Sequence, residues 1–159
     1  MCMKRFLFVL VLVALLLVPV SAATGGVAKT DLAIGLNLGT GVGAAVQYKM
    51  DGFDLIGNLG FGFLSGYLSV DGAANFKLTE FTIDKAMFDV TVGGGAYVGI
   101  PLKSGQKFGL AAIAPFGVMY RLADKDVPLD IYLRVVPGIW ILPKIDLYFD
   151  GYIGALWRF

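Results

Sequence analysis

From Ile145 to Phe159 the chain alternates with a period of two. Ile145, Leu147, Phe149, Gly151, Ile153, Ala155, Trp157 and Phe159 form a side whose only hydrogen-bonding group is an indole N–H; Asp146, Tyr148, Asp150, Tyr152, Gly154, Leu156 and Arg158 form the other. No helix sorts residues this way, so the segment reads as a long β-strand with one dry and one polar face. The parity returns upstream. Residues 31–39 set Leu32, Ile34, Leu36 and Leu38 against Asp31, Gly35 and Asn37, and residues 42–50 set Val42, Val46 and Tyr48 against Gly43, Gln47 and Lys49. Residues 53–64 oppose Phe53, Leu55, Leu59 and Phe61 to Asp54, Asn58 and Gly60, and residues 67–79 oppose Leu68, Val70 and Phe76 to Asp71, Lys77 and Thr79. In 86–102, 107–122 and 129–142 the dry positions include Phe88, Val98, Phe108, Tyr120, Ile131 and Ile141; Asp89, Tyr97, Arg121, Asp130, Arg134 and Trp140 fall opposite.

Short turn signals separate these runs: Thr40-Gly41, Asp51-Gly52, which favours a type I′ hairpin, Ser65-Gly66, Lys103 to Gln106, and Pro143-Lys144. Pro115 sits inside the sixth run, where proline removes a ladder hydrogen bond and marks a bulge. Eight strands joined by hairpins predict an all-β fold, an eight-stranded antiparallel up-and-down transmembrane β-barrel with short turns. A closed barrel has no free edge, and it is the one β-form that hydrocarbon tolerates.

Alternation alone does not say which face meets water. Three features predict the apolar face outside. The polar parity is rich in glycine (Gly35, Gly43, Gly60, Gly62, Gly93, Gly95, Gly99, Gly109, Gly117, Gly138, Gly154), which suits the crowded interior of an eight-stranded barrel and makes a poor water-facing surface. Dry-face aromatics Tyr48, Phe53, Phe76, Phe88, Tyr120 and Phe159 fall at one end of their strands, as in an interfacial girdle. At that same end the polar face presents Asp31, Lys49, Asp54, Lys77, Asp89, Arg121, Asp130 and Arg158, alternating in sign all the way round. Counted from the turns, Lys49 faces Asp54, Lys77 faces Asp89, Arg121 faces Asp130, and Arg158 meets Asp31 where the barrel closes. Such a lumen ionic belt is expected to plug one mouth and set strand register, because an unpaired charge inside a low-dielectric wall costs several kcal/mol.

The composition changes the picture in two ways. Hydrophobic residues make up 57% of the 159 and charged ones 16%, too apolar for an ordinary soluble domain. Part of the excess is an N-terminal segment, Lys4-Arg5 followed by an apolar run from Phe6 to Val18 and a small-residue site at Ser21-Ala22-Ala23, which reads as a signal peptide over 1–23 with a single barrel domain over 24–159. Its thirteen apolar residues fall short of the roughly 20 a membrane-spanning helix needs. Cleavage would remove Cys2, the one cysteine, and leave no thiol chemistry. It would also take Lys4 and Arg5 from the thirteen basic residues, leaving eleven against twelve acidic ones, a balance that argues against nucleic acid as a partner.

The chain has no histidine, which removes the usual base of hydrolytic triads, and no His/Cys cluster suits a transition metal. Asp146 and Asp150 stand two apart on the polar face as a nominal acid/base pair, but they read as members of an ionic network. Gly39-Thr-Gly-Val-Gly-Ala44 loosely fits a dinucleotide fingerprint, yet it runs into another alternating strand instead of a helix. No catalytic residue, cofactor or metal is expected.

Trp157-Arg158-Phe159, a terminal phenylalanine with an aromatic two residues before it, together with the alternating strands, resembles the OmpA/OmpX-like small outer-membrane barrels. The resemblance covers essentially the whole chain after the signal segment and is carried by pattern. It implies residence in the bacterial outer membrane after Sec-type export, with both termini in the periplasm. The turns at Thr40, Ser65-Gly66, Lys103 to Gln106 and Pro143-Lys144 then lie outside the cell. It also implies that Trp157 and Phe159 are an assembly signal, with outer-membrane lipid and the outer-membrane assembly machinery as partners. The outer turns are shorter than that family's adhesive loops. The expected function is therefore a non-enzymatic structural or envelope-integrity protein whose lumen is filled by bulky residues of the last two strands (Tyr132, Arg134, Trp140, Tyr148, Tyr152, Leu156) set against glycines. Three alternatives accompany it. A narrow, porin-like channel or a small-ligand barrel would use Tyr132, Arg134, Trp140, Tyr148 and Asp150 as lumen contacts. A soluble periplasmic lipid carrier would need the opposite facing. Association with another copy or another protein would use the bare outer wall at Gly57, Gly72, Gly94 and Gly151.

Overall fold

The alternating runs form strands in the computed structural model, which describes residues 31–63, 65–84, 86–122 and 127–159. The expected signal peptide, residues 1–23, and Cys2 lie outside the described residues. Among the described residues nine strands follow one another: β1 Leu32–Gly39, β2 Gly41–Lys49, β3 Asp54–Gly62, β4 Tyr67–Ile83, β5 Ala86–Pro101, β6 Gly109–Ile113, β7 Phe116–Arg121, β8 Leu129–Leu142 and β9 Asp146–Arg158. All pairings are antiparallel, and β1 pairs with both β2 and β9, so the sheet closes on itself.

The count of eight strands is corrected to nine. Pro115, with no N–H to give, interrupts the sixth run, but the interruption is local. The Ala114 N–H donates to the Pro137 carbonyl at 2.8 Å and the Gly93 N–H to the Pro115 carbonyl at 2.7 Å. Both β6 and β7 pair with β5 on one side and β8 on the other. The ring therefore keeps eight places, one filled by two strands end to end.

Two local expectations also change. The fourth strand runs on to Ile83, and its register with β5 shifts between Lys77 and Thr79. The extra residue reverses parity below that point. Thr79, expected inside, now sits opposite Val90, Phe81 stacks on Phe88 with ring centroids 5.1 Å apart, and Glu80 comes opposite Asp89. At the Asp51-Gly52 turn, Gly52 alone takes a positive φ, 90°, so the turn is not the type I′ form, which needs both residues there.

Stagger decides which residues meet. The register path Ala33, Gln47, Ile56, Ala73, Gly95, Ile113, Gly138 arrives at Tyr148 on β9, whereas the direct β9 partner of Ala33 is Arg158, ten residues further on. With a rise of ~3.3 Å and a strand spacing of ~4.8 Å, ten residues over eight places give a strand tilt of about 40°, within the range of closed barrels. The polar parity points in: Asn75 and Asp89 are 2% exposed and Arg134 3%. The apolar parity points out, with Leu147 at 84%, Phe149 at 72% and Leu36 at 68%. Tyr132, Met119, Leu156 and Val136 fill the interior between these walls. They fit because glycines face them: a Cβ at Gly154 would lie 2.4 Å from the Tyr132 ring, and one at Gly109 2.6 Å from Trp140.

Candidate functional site in the barrel lumen

At the end of the barrel that carries Asp31 and Phe159, Asp89 is the buried acceptor of two cations. Lys77 Nζ lies 2.8 Å from one oxygen and Arg121 Nη2 2.6 Å from the other. Lys77 also reaches Glu80 at 2.5 Å, a partner that became available only because the β4 bulge brought Glu80 opposite Asp89. Across the mouth, Arg158 Nη2 donates to Asp130 Oδ1 at 2.7 Å. A carboxylate enclosed by protein needs such partners, since breaking a buried pair costs about 3–5 kcal/mol.

The partner choices differ from a strand-by-strand count. Arg121 and Asp130 are register neighbours, yet the guanidinium goes to Asp89. Lys49 and Asp54 are also register neighbours, but Asp54 instead accepts from Gln47 Nε2 at 2.7 Å. Arg158 takes Asp130 and leaves Asp31, which is exposed and joined to Lys49 through its backbone carbonyl at 2.7 Å. Five of the eight belt residues, Lys77, Asp89, Arg121, Asp130 and Arg158, are therefore joined by ion pairs; among the described residues no ion pair joins Asp31, Lys49 or Asp54.

Above the belt lies Arg134 from β8. Its Nη2 donates to Gln47 Oε1 at 3.3 Å, and its guanidinium stands 4.3 Å from the Tyr132 ring centroid. Gln47 thus links Arg134 to Asp54 by its two amide ends. One level further up, Asn37 Nδ2 donates to Asn58 Oδ1 at 2.8 Å, and Asn58 Nδ2 donates to Asp71 Oδ1 at 2.6 Å and to the Tyr152 hydroxyl at 3.2 Å. These groups form the floor of a half-open pocket of about 50 Å³ at the turn end, walled by Asp71, Asp150, Ser69, Tyr97 and Thr40. Thr40 Oγ1 and the Tyr148 hydroxyl both donate to Asp150, the latter at 3.2 Å. Two carboxylates thus face a pocket with no Lys or Arg in its lining.

Of the residues expected as lumen ligand contacts, Asp150 lines this pocket. Tyr132 and Arg134 lie beneath it, and Trp140 and Tyr148 close the turn end beside it with Tyr97, at centroid distances of 4.9 to 5.4 Å. Asp146 is exposed, 3.3 Å from Lys144, and shares no site with Asp150. Asn37, Asn58, Asp71 and Gln47 were legible only as inward polar residues; their meeting depends on the stagger. Trp157 and Phe159 point out of the barrel, 45% and 57% exposed. Among the described residues no group of three or more His, Cys, Asp or Glu side chains is placed to hold a metal ion. In comparisons with protein-family models, curated proteins and solved structures, nothing matches this chain.

Proposed function

We propose that this chain is a non-enzymatic integral outer-membrane β-barrel with a side-chain-filled lumen that contributes to envelope integrity. One observation carries the reading: the ring is closed, and along all nine strands the outward parity holds no Asp, Glu, Lys or Arg. In water such a wall would leave most of the molecule's large apolar side chains solvated, and in hydrocarbon it is the stable arrangement. Strand lengths agree. The nine residues of β2 and β3 suffice for a tilted crossing, and β8 and β9 are longer, at fourteen and thirteen. The lower aromatics support an interfacial girdle, with Phe53 on Phe76 at 5.7 Å and Phe88 on Tyr120 at 5.1 Å. A soluble lipid carrier needs the apolar parity in the lumen, and Leu36, Leu147 and Phe149 point the other way. Trp157 and Phe159, on the outward face, are the residues we assign to recognition by the assembly machinery.

The deciding experiment is cell fractionation with gel mobility. The protein should require detergent for extraction and migrate faster before boiling than after, as closed membrane barrels do. Extraction in plain buffer with no mobility change would overturn the reading. A second reading, a narrow cation-preferring channel, is favoured by the Asp71/Asp150 pocket at the turn end. It predicts discrete single-channel steps in planar bilayers, whereas a lumen crossed by Arg134, Tyr132 and the ionic belt predicts none.

A further inference from the structure

The barrel is lopsided. The ten-residue stagger leaves the β5–β6 and β8–β9 turns standing roughly three residues above the β1–β2 and β3–β4 turns. The taller side carries the most exposed apolar side chains of the described residues, Leu147 at 84% and Ile145 at 78%, continuing downward through Phe149 and Ile141. The turns above this wall hold Lys103, Lys107 and Lys144. Lys107 and Lys144 flank the adjacent ends of β6 and β8, where Leu110 pairs with Leu142, and Lys103, from the β5–β6 turn, lies over Gly66 of the neighbouring β3–β4 turn. Among the described residues of these turns and the strand ends beside them the one acid is Asp146, 3.3 Å from Lys144, with both side chains largely in solvent, a contact that a stronger anion displaces easily. The shorter side has no charged residue of its own in its turns, Thr40 and residues 63–66, and the sequence between strands at the opposite end mixes both signs, with Asp51, then Asp84 and Lys85, then Asp124, Lys125 and Asp126.

We propose that this taller side is a docking surface for phosphorylated lipid, with acyl chains on the Ile141, Ile145 and Leu147 wall and the headgroup phosphate on Lys103, Lys107 and Lys144. The occupant follows from charge and shape together. An apolar wall ending in cations matches a molecule whose hydrocarbon ends in phosphate. The inference rests on the membrane reading and names the lipid that the barrel selects there.

The test uses the full barrel in phosphatidylcholine vesicles with trace spin-labelled lipid, comparing labelled phosphatidic acid with labelled phosphatidylcholine. A motionally restricted lipid component reports the lipid-facing wall. The phosphate-headed label should be preferred in that component by roughly threefold or more at low salt, falling toward onefold at high salt and in the K103A/K107A/K144A variant. The K103R/K107R/K144R variant should keep the preference. A restricted component with equal preference for both labels, or a preference unchanged in the triple alanine variant, overturns the inference and leaves the membrane reading standing. Absence of any restricted lipid overturns both. Inorganic phosphate added to the buffer should compete weakly; full competition would show a free-anion site in place of lipid docking and would equally overturn it.

Discussion

Asp89→Asn is the sharpest test of the ionic belt. The substitution keeps the shape of a side chain that is 2% exposed and removes the charge that Lys77 and Arg121 approach at 2.8 and 2.6 Å. Lys77 keeps Glu80 and stands in solvent, so its share is discounted entirely. Arg121, about one-third exposed, loses a charge-assisted hydrogen bond to a buried acceptor, and the new amide must find partners among donors arranged for a carboxylate. Together these should cost about 2–3 kcal/mol. Asp54→Asn, which disturbs only the Gln47 contact, should cost about 1 kcal/mol or less. Asp31→Asn, exposed and joined by no ion pair among the described residues, should leave stability unchanged. The assay is urea unfolding of the barrel refolded in detergent micelles, followed by tryptophan fluorescence and by gel mobility. A coupling free energy between Asp89 and Arg121 in a double-mutant cycle, with none between Lys49 and Asp54, is the expected signature. Equal destabilisation by all three Asp→Asn changes, or coupling between Lys49 and Asp54 in place of Asp89 and Arg121, would refute the reasoning.

Three other outcomes follow from the geometry. Asn58→Ala removes the donor to Asp71 and the acceptor for Asn37 inside the lumen, and should lower stability by about 2–3 kcal/mol in the same urea titration. Gly154→Ala places a methyl 2.4 Å from the Tyr132 ring and should cost about 1–3 kcal/mol by overpacking, whereas Gly94→Ala, with nothing within 4 Å, should change stability by no more than about 0.5 kcal/mol. On the proposed membrane reading, Leu36→Arg, on the outward wall at 68% exposure, should destabilise the barrel by about 2–4 kcal/mol in lipid vesicles and far less in water-rich micelles of short-chain detergent.

Period-two alternation survives folding because a strand has no other way to distribute its side chains, so the alternating runs and, up to the β4 bulge, their two faces were readable from the sequence. The inward glycines were readable for the same reason, and Gly154 and Gly109 do face Tyr132 and Trp140. The bulge between Lys77 and Thr79 was not, because the local sequence carries apolar residues on both parities there and the partner strand alone shows which residue is extra. Pro115 reads as a weak point, but whether it ends a strand or merely bends one depends on the hydrogen bond its own carbonyl accepts from Gly93 and the one Ala114 donates to Pro137.

The sequence by itself therefore determined that this chain builds alternating strands and, outside the end of β4 beyond its bulge, which residues share a face, since these depend on a residue's own chemistry and its immediate neighbours. Tertiary structure decided the partners. The ten-residue stagger of the closed ring sets which levels of distant strands meet, and so gives Arg121 to Asp89, Arg158 to Asp130, and brings Asn37, Asn58, Asp71 and Asp150 around one pocket. Closure couples all the strands at once, and no single stretch of sequence carries that information.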